Sequence, residues 1–74
     1  MNLTELKKGN RAEILNISAD KALKDRLTSF GVMKGEELLL RGCSLAKQTI
    51  EIEVGSTLIA LRRDEAAKIE VKKI

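Results

Sequence analysis

Residues 49–62 read TIEIEV, Gly55-Ser56, TLIALR: a strictly alternating hexapeptide, two turn-prone residues and a second apolar hexapeptide. No other hairpin signal in the chain is as strong, and it dictates geometry. A period of two sends Ile50, Ile52 and Val54 to one face and Glu51 and Glu53 to the other. Pairing across a two-residue turn sets Val54 opposite Thr57, Ile52 opposite Ile59 and Ile50 opposite Leu61. The aliphatic face is the core. The other face then carries Leu58 and Ala60 beside Glu53 and Glu51, apolar side chains where the acids mark water.

The rest of the chain supplies short elements around this hairpin. RAEILNI (Arg11 to Ile17) follows the turn residues Gly9-Asn10 and reads as a strand, with Ala12 and Ile14 in alternation. The period then changes. Ala19, Leu23, Leu27 and Phe30 recur at helical spacing and predict one buried stripe of a short helix, capped by Ser18 or Asp20 and ended at about Phe30 by Gly31. Val32 can pack back on Leu27. Met33-Lys34-Gly35-Glu36 suits a type II turn, and a strand from Glu37 to Arg41 should follow. Gly42-Cys43-Ser44 breaks that pattern and predicts a loop through about Lys47. After the hairpin, Asp64 can cap a single helical turn, DEAAK, before Ile69 and Val71 alternate in a last strand. Five short strands with little helix predict a mainly β chain, a small closed barrel without exposed edges.

The 74 residues leave room for one domain, 1–74. With 43% apolar and 34% charged residues the chain can fold alone, and a lone Cys43 cannot form an internal disulfide, so stability must come from packing. No stretch approaches the ~20 apolar residues that span a bilayer, and the N-terminus lacks the apolar run of a signal peptide, so the expected location is the cytoplasm with no membrane insertion. Histidine is absent. One thiol cannot supply the three or four nitrogen or sulfur ligands of a zinc, copper or iron–sulfur site, and a Ser or Cys nucleophile has no base at a recognisable spacing. Phosphate-cradling sequences of the GxxxxGKS or GxGxxG kind are missing too. The expectation is a protein that is no enzyme and carries no cofactor.

The order and spacing of the pieces resemble the FeoA family, whose domain is a small SH3-like barrel. The resemblance rests on Leu3-x-x-Leu6-x-x-Gly9, on Ala12 and Ile14, and on Arg26-Leu27-x-x-Phe30-Gly31-Val32-x-x-Gly35. Ile59-Ala60-Leu61-Arg62, Glu65-Ala66 and Ile69-x-Val71 extend it over essentially the whole chain. Lys34 stands where the family often has proline, and the loop after the middle strand lacks the usual Asp-Pro. The resemblance implies an accessory of bacterial ferrous iron uptake. Its partner would be the membrane ferrous iron transporter, whose cytoplasmic part is a GTP-binding domain.

The sequence's own candidate for the contact is the misplaced apolar set on the outer face of the hairpin. Leu58 and Ala60 should share that face with Leu39, the odd member of Leu38-Leu39-Leu40, with loop residue Leu45 extending the patch. Arg41, Glu51 and Glu53 would form a polar rim. The same patch could serve a second copy of the chain. A nucleic-acid-binding barrel is the alternative suggested by the net charge of +3, and a detached SH3-like domain of metal-dependent repressors is a third. The shortage of aromatics argues against nucleic acid, because base stacking needs exposed rings and the only aromatic, Phe30, belongs to the buried stripe.

Overall fold

In a computed structural model, which describes residues 1–44, 46 and 48–74, the hairpin pairs in the register that its alternation requires. The two strands, β3 (Thr49–Val54) and β4 (Thr57–Arg62), match Val54 with Thr57, Ile52 with Ile59 and Ile50 with Leu61. Ile50, Ile52, Val54, Ile59 and Leu61 are all buried. Three further strands, β1 (Arg11–Ile17), β2 (Glu37–Cys43) and β5 (Ile69–Lys73), complete an antiparallel sheet in the order β4-β3-β2-β1-β5. Side chains from all five strands meet in one apolar cluster, so the sheet curls around its own core.

The small five-stranded barrel expected from sequence is present, but its ladders stop short of closing it, so the expected absence of exposed edges is corrected. The ladders of the described residues run from β4 to β5 and none joins these two. They are connected by a four-residue helix, α2 (Arg63–Ala66). The free side of β5 is instead covered by the N-terminus, where Val71 donates its N–H to the Met1 carbonyl at 2.9 Å and Asn2 bridges to Glu70. A 3-10 turn, Leu3–Glu5, follows directly. Its capping box, with Asn2 Oδ1 accepting from the Thr4 N–H at 2.9 Å, drops Leu3 into the core.

The first helix, α1 (Lys21–Ser29), starts at Asp20, whose Oδ1 accepts the Leu23 N–H at 2.9 Å. It ends in a Schellman motif. Val32 N–H donates to the Leu27 carbonyl and Gly31 N–H to that of Thr28, both at 2.9 Å, with Gly31 at φ +87°. Leu27 and Val32 are buried as expected, but Phe30 is not: it is 44% exposed. Phe30 is the C-cap, at φ −94° and ψ 1°, where the chain leaves the helical path and the 3.6-residue period no longer aims the side chain. Val32 takes the buried place instead.

Two other boundaries move. β2 runs through Gly42 to Cys43 rather than stopping at Arg41, because a bulge between Leu40 and Gly42 absorbs the irregularity and lets Gly42 and Cys43 pair with Glu51 and Ile50. α2 begins one residue before Asp64, with Arg62 as its N-cap. Asp64 lies inside the first turn, and Glu65 does the capping: its Oε1 accepts the Arg62 N–H at 3.0 Å.

Candidate docking surface

Leu39, Arg41, Glu51 and Leu58 gather around a shallow depression of about 350 Å³ on the outer face of the sheet, with Lys8, Gly9 and Leu40 completing its lining. The register explains the gathering. Glu53 of β3 pairs with Leu39 on one side and with Leu58 on the other, so its carboxylate rises between the two leucines. Arg41 reaches this carboxylate, Nη1 to Oε1, at 3.4 Å. An exposed pair of this kind contributes about 0–1 kcal/mol, so it orients the rim more than it stabilises the fold. Leu58 is 60% exposed and Leu39 half-buried.

Ala60 pairs with Glu51 on this face, yet it borders a neighbouring depression of about 460 Å³ together with Arg26, Phe30 and Arg62. Leu45 lies outside the described residues. Lys8 and Phe30 are additions that sequence reasoning missed. Lys8 belongs to no motif that singles it out, and Phe30 was assigned to the core. Its exposure removes one reason for disfavouring nucleic acid, although a single ring is no stacking platform.

Comparison with known proteins decides the family, for the FeoA domain model matches residues 1–73. The chain belongs to the FeoA family. It is 46% identical over 74 residues to the putative Fe(2+) transport protein A of Campylobacter jejuni, covering all of both chains. It superposes on the FeoA protein of Chlorobium tepidum with a TM-score of 0.91 at 35% identity, over 96% of this chain and 68% of that one. A Porphyromonas gingivalis protein named as an Fe(2+) transport protein A/Fe(2+) transporter FeoB fusion protein is 28% identical over 74 residues. These are the whole of this chain and 9% of that protein. The mainly β, SH3-like architecture of the FeoA family is therefore the architecture of this chain.

In this FeoA domain, Glu65 ties α1, β4 and α2 together. Its Oε2 accepts from Arg26 Nη2 at 2.6 Å, and its side chain is only 16% exposed. The Arg62 N–H holds its carboxyl below the ordinary glutamate range, helped by the Arg26 guanidinium and opposed by partial burial. The native state thus binds this proton less readily than the unfolded chain. The stabilisation is full above the ordinary glutamate pKa and is lost as pH falls through the lower native value. Glu65→Gln is expected to flatten the acid limb of the stability profile and to cost about 1 kcal/mol at neutral pH. Urea midpoints measured from pH 7 downward check both effects, and an acid limb unchanged in the variant contradicts the assignment.

Among the described residues no three His, Cys, Asp or Glu side chains cluster as metal ligands, and Cys43 is a free, exposed thiol on β2. This donor set does not fit a resident iron. No helix among the described residues is long and apolar enough to cross a membrane.

Proposed function

We propose that this chain is a non-catalytic cytoplasmic docking protein of ferrous iron uptake that binds the cytoplasmic GTP-binding part of the membrane transporter. One observation carries the reading: in the Porphyromonas gingivalis relative, a segment matching this whole chain is joined to the transporter FeoB. Joining two modules in one polypeptide raises their effective concentration, which serves modules that bind each other. The face around Leu39 and Leu58 suits that role, with two leucines flanked by Lys8, Arg41, Glu51 and Glu53, an apolar centre with a charged rim. Docking acts on transport if it binds one transporter conformation better than another, and the shift can be no larger than that difference in affinity.

Tagged chain, co-expressed with the transporter and purified after nuclease treatment, is expected to bring the transporter with it. Recovery of nucleic acid in its place contradicts the reading. The metal belongs to the partner in this scheme. Calorimetric titration of the isolated chain with ferrous iron or zinc is expected to give no stoichiometric micromolar site, since the chain has no His and one thiol.

A further inference from the structure

Resting on that docking reading, we infer that the outer edge of β4 accepts an added strand. The strand would be an extended segment of the transporter's cytoplasmic part carrying a carboxylate two residues from an aliphatic side chain. Backbone groups alternate along a strand, and the phase on β4 is set at its end. Arg62 N–H points away from β3, to Glu65 Oε1 at 3.0 Å, whereas Arg63 N–H turns back to the Gln48 carbonyl at 3.0 Å. By the two-residue period, the N–H and C=O groups of Leu58 and Ala60 also point away from β3. β3 is the one ladder partner of β4 among the described residues, so these groups face outward with no strand against them. The opposite edge, on β5, is covered by Met1 and Asn2. Among the described residues, β4 is the edge left open, between the Gly55-Ser56 turn and α2.

The surroundings specify what fits. Beside the edge lies the depression bordered by Arg26, Phe30, Ala60 and Arg62. A strand laid there would place alternate side chains opposite Leu58, Ala60 and Arg62 on the outer face. The first two positions call for aliphatic groups and the third for a carboxylate. Arg26 is already paired with Glu65, and the Arg62 charge also favours the ionised Glu65, but neither Arg62 nor Arg63 makes a direct ion pair among the described residues. The side chains between would turn toward Phe30. Two side chains that the fold leaves exposed, Phe30 and Leu58, and the charges of Arg62 and Arg63 are thus engaged by one occupant.

Proline at position 60 removes an N–H that has no partner among the described residues, a substitution that edge strands accept. Ala60→Ser keeps the N–H and serves as control. With the purified cytoplasmic part of the transporter in a calorimeter, Ala60→Ser should bind no more than about threefold more weakly than native chain, through its side chain alone, and Ala60→Pro at least about tenfold more weakly than Ala60→Ser, as loss of main-chain pairing requires. In the native complex, amide exchange at Leu58 and Ala60 should slow by at least about tenfold. That second measurement decides the matter if circular dichroism shows Ala60→Pro unfolded. Equal binding by Ala60→Pro, or equal weakening by Ala60→Ser, overturns strand addition while leaving docking intact. No binding by native chain overturns docking and this inference with it. A dimer of the chain alone that Ala60→Pro dissociates in sedimentation gives the edge to a second copy and also overturns the proposal.

Discussion

Ile59→Ser is expected to destabilise the chain by about 3 kcal/mol, whereas Leu58→Ser, one residue earlier, shifts stability by less than about 0.5 kcal/mol. Both replace a large aliphatic side chain with the same small polar one on the same strand, so side-chain chemistry does not distinguish them. Position does. Ile59 faces Ile52 inside the core at 6% exposure, and its loss leaves a cavity with a hydroxyl in it. Leu58 stands 60% exposed opposite Glu53 and has little burial to lose. A domain of this size is stabilised by only about 5–10 kcal/mol, so the first variant should show a large drop in urea midpoint. Equal losses would mean the register is slipped by one residue, which would exchange every inward and outward side chain on β4.

Gly35→Val is expected to cost about 2 kcal/mol, and Lys34→Pro to be neutral or to stabilise by up to about 1 kcal/mol. Gly35 occupies the third position of the turn closed by the Glu36 N–H to Met33 carbonyl bond at 3.1 Å, with φ +92°. A Cβ there would meet nothing within 4 Å, so the cost is conformational rather than steric crowding by neighbours. The backbone cannot relax cheaply either, because Gly35 N–H is bound to the Ile14 carbonyl at 2.8 Å and pins the turn to β1. Lys34 N–H donates none of the backbone hydrogen bonds of the described turns, and the second turn position favours proline. Urea midpoints of the two variants check the pair. Similar losses in both would contradict a type II turn here.

What could be read in the sequence follows from how locally each feature is determined. The hairpin register was legible because a two-residue turn and a period of two leave no freedom. The helix end was legible because Gly31 and Val32 carry its cap. The outward position of Leu58 followed from parity alone. Phe30 was misread because helical periodicity was extended onto the residue where the helix stops. The β2 terminus was misread because Gly42 looks like a breaker, whereas tertiary pairing with Glu51 carries it through a bulge. The start of α2 was misread because Asp64 is the better capping residue by type, while the cap comes from Glu65 reaching back. The open edge of β4 and the cover over β5 depend on where the N-terminus lands, which no local pattern encodes. Of the candidate site, strand parity puts Leu39, Glu51, Glu53, Leu58 and Ala60 on one face. It could not foresee that Ala60 borders a second depression beside Phe30.

If the outer sheet face docks the transporter, as proposed, Leu58→Ser should weaken that contact with the least disturbance to the fold. Isothermal titration of the purified cytoplasmic GTP-binding part with native chain should give saturable binding. The folded Leu58→Ser variant should bind at least about tenfold more weakly, a loss of more than about 1.4 kcal/mol. A variant that folds and binds as tightly as the native chain would show that this face is not the docking surface.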